Sequence, residues 1–491
     1  MEWLHLGHIG GPFLKLDVIK RSNQQIGNVV FFCSGSDSYE SHALLAAHNQ
    51  KKSIEALCFF YHDQIVNDLK TMLIDMDLFL NPLDIKYKNH LTEITQQQVK
   101  QLVDMGKAVE INEQYPFSNN YGFLPPSFIA GICPECKHAT SGFICETCGF
   151  TYRPEEMTGV HCRSEFKLTE MKRVSTLFLK MDKPQLQKAL VASYVPKNSL
   201  ELTQSFLAKN DYTRLTLPIK WGISASHERV YYSYGTFFSY YTALRESCVK
   251  ALNLKTLPFT EDADVNTVVS FGFDNTLTFL VETLNQALSL GHKGFDCYLS
   301  NKFLTLNGDK FSTSRNHAIW VHKLPKNISI DLIRLFLLKV NADQDQSDFN
   351  LQEFVSFYNW IACIINAKII SKLKVPNFYL PRQEHNKHSS GLLRLWEQKK
   401  MDAIPSNYSG NKFYLDIISW LEGDVYESEY MEWLHGIAIL CYPVMPVLSQ
   451  RVWDFLGGTG VPSLENCNHF SSEPFSMSEI EQINISEIKV G

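Results

Sequence analysis

Four cysteines in the first third of the chain constrain it most tightly. Cys133-Pro134-Glu135-Cys136 and Cys145-Glu146-Thr147-Cys148 are two CxxC knuckles separated by eight residues. Knuckles at this spacing gather four thiolates around one tetrahedral ion, and the ion expected for that donor set is Zn2+. All four positions are thiolates, so none stays open for water and the expected metal is structural. Its role is to staple a small, loop-rich insertion that cannot build its own core. His138 and Cys162 lie nearby and read as ordinary residues. Twelve cysteines in 491 residues, four clustered and the rest scattered, do not describe a disulfide scaffold and suit a reducing cytosol.

The flanking segments read as a nucleotide-binding α/β host for that insertion. Asn28-Val29-Val30-Phe31-Phe32-Cys33 is a continuous apolar run, the pattern of a strand buried on both faces of a parallel sheet. It leads into Ser34-Gly35-Ser36-Asp37, and ligands in open α/β sheets bind at such carboxyl ends of strands. Asp37 either holds an ammonium or a ribose hydroxyl there, or caps the following helix. Residues 41–110 alternate helical stretches, near 62–76 and 92–106, with one strand-like run, Ala56-Leu57-Cys58-Phe59-Phe60. Val268-Val269-Ser270-Phe271-Gly272-Phe273-Asp274-Asn275 is another apolar strand, closing on a glycine and an acid.

Two polar segments suit phosphate. His5-Leu6-Gly7-His8 stands ahead of Gly10-Gly11-Pro12, where Pro12 fits a first helical turn and Phe13, Leu16 and Ile19 recur at helical spacing through about Arg21. A helix N-terminus presents unpaired N–H groups and the positive end of a dipole. Gly7 lets a ligand approach the backbone, and the two imidazoles add donors. Far downstream, Leu304-Thr305-Leu306-Asn307-Gly308-Asp309 reads as a strand and a turn. Lys310-Phe311-Ser312-Thr313-Ser314-Arg315 then reads as a polar loop whose lysine reaches phosphate as a mobile point charge.

With the cysteine knuckles between them, these two segments resemble the HIGH and KMSKS signatures of class I aminoacyl-tRNA synthetases, in the order and separation of the methionyl-tRNA synthetase family. The resemblance runs from about residue 5 to about residue 460. It implies an α/β fold: a Rossmann-like parallel-sheet catalytic domain split by the zinc-knuckle insertion, then an all-α C-terminal helical bundle. The implied boundaries are 1–110 for the first half of the catalytic domain, 111–210 for the connective insertion and 211–325 for the second half with the KMSKS-like loop. A linking segment at 326–350, a helical anticodon-binding-like domain at 351–465 and a polar tail at 466–491 complete the chain.

The same resemblance implies activation of an amino acid by ATP, with Mg2+ on the nucleotide, and transfer of the product to tRNA. His5, His8 and Lys310 would be the catalytic groups. Gly7, Gly272, Asp274, Ser312 and Ser314 would bind ATP, with Asp274 on the GKDN-like position that grips ribose. Asp37, Tyr234, Phe238, Tyr241 and Phe279 would bind the amino acid. Asp37 keeps the aspartate of the family's GTDEHG motif, whereas the histidine and final glycine are lost in Gly35-Ser36-Asp37-Ser38-Tyr39-Glu40. The aromatic stretch from Val230 to Tyr241 is either packed core or the pocket wall where the family has a YVWxDAPxGY-like run. Phe237 and Phe238 replace alanine and proline there, and Phe279 replaces the histidine that faces the methionine side chain. These changes point to an apolar or aromatic amino acid rather than methionine.

Several departures keep other readings open. Family members carry a strand and a loop before the first signature, and here only Met1 to Leu4 precede His5. Either the start is misassigned, or another segment fills the gap, or the site is degraded. An anticodon-reading asparagine would be Asn366, but the expected arginine four residues on is Ile370. Lys368, Lys372 and Lys374 either touch phosphates or form a solvated face. An alternative is therefore a paralogue that passes the acyl group to a small-molecule acceptor in a biosynthetic pathway; another is an inactive tRNA- or protein-binding module. A net charge of −6 supplies no global field for nucleic acid, so any tRNA contact must rest on a local basic face. No apolar run reads as a membrane span and the N-terminus lacks a signal pattern, so no membrane partner and a cytoplasmic location are expected.

Overall fold

The computed structural model describes residues 3–226, 228–311, 316–343, 345–374, 390–464 and 475–491. The described chain divides into two compact units. One comprises Cys33–Gln64 and Asp77–Ser300; the other comprises the chain up to Phe32, Ile65–Met76 and Asn301–Gly491.

In the first unit, Cys33–Gly35 pairs in parallel with Leu78–Leu80, and Val268–Gly272 pairs with Cys297–Asn301. The strand expected over 28–33 begins only at Cys33. Val29 is 79% exposed, because the ladder offered by Leu78–Leu80 engages Cys33 to Gly35 alone. The run Ala56–Phe60 is not a strand; it lies in the helix Ile54–Thr71, with Leu57, Cys58 and Tyr61 buried at helical spacing. The parallel sheet is therefore present as short pairs, and most of the other described ladders are antiparallel.

The insertion is carried by two long strands. Ala108–Ser118 and Glu170–Lys180 pair antiparallel from Ala108↔Leu179 to Phe117↔Glu170, flanked by Gly122–Phe123 and Tyr212–Arg214. Arg214 and Glu113, both buried, cross this sheet in a bidentate ion pair, and the Thr176 hydroxyl also donates to Glu113. A three-stranded antiparallel sheet of Ala139–Ser141, Ile129–Ile132 and Thr158–Cys162 holds the cysteine knuckles.

In the second unit the helical run starts earlier than Pro12. His5 caps a turn at Leu6–His8, a π segment follows over Ile9–Phe13, and Leu14–Gln25 is regular α-helix. Gly11 (φ −82°, ψ −115°) leaves the helical region just before Pro12, which has no N–H to give the preceding turn. The helix also continues past Arg21, to Gln25. Ile330–Lys339 is buried on all sides from Asp331 to Leu338, as an inner helix should be. Its Arg334 is fully enclosed. The guanidinium donates to Asp17 at 2.6 Å and to the carbonyls of Val444, Met72 and Pro443 at 2.7–3.0 Å.

Two sequence expectations for this unit are corrected. The run Leu351–Leu373, 23 residues long, is apolar and long enough to cross a membrane by composition alone. Its apolarity serves packing instead: Phe354, Tyr358, Ile361, Ile365, Ile369 and Ile370 are buried inside the protein. Of the supposed tail, residues 475–491 are docked, with Ile480, Ile483 and Ile488 buried. The Asn366 and Asn359 amides exchange reciprocal hydrogen bonds of 2.8–2.9 Å with the main chain at Ile480 and Ile483.

Candidate active site and metal centre

Within the second unit the two signature segments meet. The His5 ring stacks on Phe311 at 4.8 Å and on His8 at 3.7 Å, and Trp320 closes an edge at 5.9 Å. Backbone bonds fix the approach: Leu6 donates to Ile319 and Val321 donates to Leu4, each at 3.0 Å. Gly7 is required by crowding, since a Cβ there would stand 3.0 Å from the His5 ring and 3.3 Å from Phe311.

The histidines cap one another. His8 N–H donates to His5 Nδ1 at 3.3 Å, and His5 N–H donates to His8 Nδ1 at 3.4 Å. With both Nδ1 atoms accepting, each Nε2 carries the hydrogen, so the pair presents two Nε2–H donors side by side. Burial first, and then the neighbouring His8, lower the His5 pKa to about 2, which makes it a neutral donor and not a cation. Lys310 follows a tight hairpin in which Leu304–Leu306 pairs with Asp309–Lys310 across Asn307 (φ +51°) and Gly308 (φ +86°). Positive φ at both turn residues is what an Asn-Gly two-residue turn supplies. The Lys310 ammonium lies 4.8 Å from the centre of the Phe303 ring. Ser312 and Ser314 lie outside the described residues.

The first unit holds the other predicted residues. Gly272 directly precedes the turn Phe273–Asn275, and a Cβ on it would come within 2.7 Å of the Asp274 carboxylate. Asp37 follows the strand Cys33–Gly35, and it does not cap the next helix; Glu40 does, accepting from His42 N–H at 2.7 Å. Burial and the Glu40 charge push the Asp37 carboxyl up to about 8. Burial first, and then the charges of Glu40 and Asp37, push the Tyr234 hydroxyl well above the ordinary phenol range.

The aromatic stretch packs ring against ring. Phe237 is the hub, with ring centres 5.4 Å from Tyr241, 5.8 Å from Phe279 and 6.5 Å from Tyr234. Phe279 stacks on Phe271 at 4.5 Å. Phe238 is one layer behind, 1% exposed and packed against Phe259 and His292.

The four cysteine sulfurs all lie within 4.8 Å of one another. The cross-knuckle pairs Cys133–Cys148 and Cys136–Cys145 are 3.9 and 3.6 Å apart. A tetrahedron with Zn–S bonds of about 2.3 Å has edges of about 3.8 Å, so the donor set fits that ion. Each knuckle turns through a left-handed residue just after its second cysteine, Lys137 (φ +63°) and Gly149 (φ +74°). Cys162 bonds Ser164, and His138 bonds the Cys136 carbonyl, which leaves both outside the cluster. Gly149 also packs against Phe273 and Asp274; a Cβ on it would meet the Phe273 carbonyl at 3.1 Å.

Sequence reasoning passed over Trp320, which packs on the edge of His5, and the helix-capping role of Glu40.

Residues 2–368 match the family model described as tRNA synthetases class I (M). A methionine–tRNA ligase of Thermoplasma volcanium is 25% identical over 99% of this chain and 97% of the relative. Its counterpart in Thermoplasma acidophilum is 23% identical, covering 92% of this chain and 89% of the relative. Among solved structures, Mycobacterium tuberculosis methionyl-tRNA synthetase in complex with methionyl-adenylate aligns with a TM-score of 0.66 at 16% identity, covering 93% of this chain and 91% of that one; this likeness carries the fold. Signature segments brought together, a split nucleotide-binding α/β domain and a four-cysteine insertion define an ATP-dependent ligase of the class I aminoacyl-tRNA synthetase type. Within that class, the chain belongs to the class I tRNA synthetase (M) family.

Proposed function

We propose that this ligase activates an amino acid with ATP to an enzyme-bound aminoacyl adenylate and transfers the acyl group to tRNA, in the cytoplasm. The observation that carries the proposal is the stacking of His5 on Phe311, which joins two signature segments from opposite parts of the sequence. In the first step the amino-acid carboxylate attacks the α-phosphorus of ATP and pyrophosphate leaves. The nucleophile is already ionised, so no general base is needed, and the protein's task is positioning and charge stabilisation. The Nε2–H groups of His5 and His8, the Lys310 ammonium and the hydroxyls of Ser312 and Ser314 would hold the phosphates, with Mg2+ accompanying ATP. Gly7 and Gly272 would allow close approach, and Asp274 would accept from the ribose hydroxyls. Asp37 would hold the α-ammonium, and Tyr234, Phe237, Tyr241 and Phe279 would enclose the side chain, with Phe238 behind them. Cys133, Cys136, Cys145 and Cys148 would hold Zn2+ in a structural role.

One observation favours the second reading, transfer to a small-molecule acceptor. Asn366 is committed to Ile480, the Lys368 ammonium bonds the carbonyls of Leu421, Glu422 and Gly423 at 2.9–3.0 Å, and Lys372 lies over the Tyr430 ring. Residues expected to read an anticodon thus serve the helical fold. Pyrophosphate exchange with each of the twenty amino acids tests the first step, and bulk tRNA with the accepted amino acid tests the second. Exchange that depends on Lys310, followed by acylated tRNA, is expected. Exchange without tRNA acylation selects the small-molecule acceptor, and no exchange with any amino acid overturns both.

A further inference from the structure

Asp37 stands between two serines that the fold holds by hydrogen bonds from distant parts of the sequence. Ser36 N–H donates to the Leu80 carbonyl at 2.9 Å, which carries the ladder of Cys33–Gly35 one residue further. The Tyr240 hydroxyl, from the helix Phe237–Leu252, donates to the Ser36 carbonyl at 2.6 Å. The Trp221 indole N–H donates to the Ser38 carbonyl at 2.9 Å. The Ser36 hydroxyl is buried and lies 2.7 Å from Nδ1 of His62, on the helix Ile54–Thr71. Among the described residues, by contrast, no hydrogen bond holds the Asp37 carboxyl group. Its direction is therefore set by its backbone, and the backbone by these contacts. Tyr240 and Trp221 bond main-chain carbonyls, whereas His62 bonds the side chain at position 36. Burial lowers the His62 pKa, against the charges of Asp63 and Asp84, so the ring is neutral near pH 7. A neutral imidazole donates or accepts at Nδ1 and a hydroxyl does both, so the bond forms in either tautomer. Phe79 flanks the ring, with centres 5.4 Å apart.

We infer that His62 is a positioning residue for amino-acid binding: through the Ser36 hydroxyl it fixes the turn that aims the Asp37 carboxyl group at the substrate's α-ammonium. The inference rests on the proposed adenylate chemistry, in which Asp37 holds that ammonium, and adds a group that itself touches neither amino acid nor ATP. Loss of one neutral hydrogen bond costs about fivefold to tenfold in affinity, and a misplacement of about 1 Å at a reacting group costs up to about 100-fold. The bond between Ser36 and His62 is thus large enough to be read in amino-acid binding while the ATP site is left as it is.

The test is pyrophosphate exchange by the full-length protein, with whichever of the twenty amino acids gives the fastest exchange. His62→Leu should raise the KM for that amino acid about tenfold and leave the KM for ATP unchanged. His62→Asn places an amide where Nδ1 stood and should restore most of the loss. Ser36→Ala should reproduce His62→Leu, and the double variant should be no worse than either, because both remove one interaction. The same variants should bind the amine-free analogue of the amino acid as well as the parent does, since it brings no ammonium to Asp37. A histidine that only supports the fold would lower the thermal midpoint and weaken amino acid, analogue and ATP alike, and that result overturns the inference. Additive losses from His62→Leu and Ser36→Ala overturn it too, as would an unaltered amino-acid KM in both. Should His62→Leu fail to fold, Ser36→Ala and His62→Asn carry the same comparison. Calorimetric titration with the twenty amino acids separates this claim from the chemistry it rests on. Binding that His62→Leu weakens, without exchange in the parent, supports the positioning role and refutes adenylate formation. Exchange that His62→Leu leaves intact does the reverse, and neither binding nor exchange overturns both.

Discussion

Sealing His5 under Phe311 and Trp320 makes the first signature acid-sensitive, by an amount that can be worked out. A free imidazole titrates near 6.5, and in the folded protein His5 titrates near 2. The folded pKa lies below the unfolded one, so between these values the unfolded chain binds a proton that the native site excludes. Stability linked to His5 is therefore complete above pH 6.5 and drains as pH falls toward 2, by about 1.4 kcal/mol per unit. At about pH 5 the loss is about 2 kcal/mol. His5→Asn is the matching control, because asparagine caps helices well and does not titrate. Urea unfolding near pH 7.5 and near pH 5, followed by tryptophan fluorescence, should show the parent losing about 2 kcal/mol more than His5→Asn over that interval. Parallel losses would mean that the imidazole reaches solvent protons in the native state. The stacked arrangement would then be wrong, and with it the description of His5 as a neutral Nε2–H donor.

Further predictions address other parts of the molecule. Asp37, held near 8 by burial and Glu40, must release its proton to meet an α-ammonium, so amino-acid affinity should rise as pH rises toward 8. Calorimetry in buffers of different ionisation enthalpy should detect that proton, and Asp37→Asn should abolish its release; equal heats in all buffers would refute the pairing. Cys136→Ser, or removal of the metal by a chelator, should unfold the insertion and also weaken ATP binding, since Gly149 packs on Phe273 and Asp274. Unchanged ATP affinity after measured zinc loss would show that the knuckle does not support the nucleotide turn. Asp17→Ala should cost about 3–5 kcal/mol in denaturant unfolding, because it strands the enclosed Arg334 charge. A loss below about 1 kcal/mol would mean that the Arg334 carbonyl partners alone suffice.

Elements specified by local pattern were legible from residue order. The CxxC spacing determined a four-thiolate cluster, because each knuckle's geometry is set within four residues. Asn307-Gly308 determined the hairpin before Lys310, since few other pairs tolerate two positive φ values. The strand Val268–Gly272 followed from a continuous apolar run. Where a partner distant in sequence decides, the pattern was insufficient. The apolar residues Val29 and Val30 found no ladder, and Ala56–Phe60 is as apolar as a strand yet buries a helical face. Asn366 looked available for nucleic acid until the chain's own C-terminal segment was seen bonded to it. The sequence by itself determined the chemistry-bearing residue types and their order. Only the tertiary structure decided which were sealed and which were spent on the fold, because burial and hydrogen-bond partnership are properties of neighbours in space.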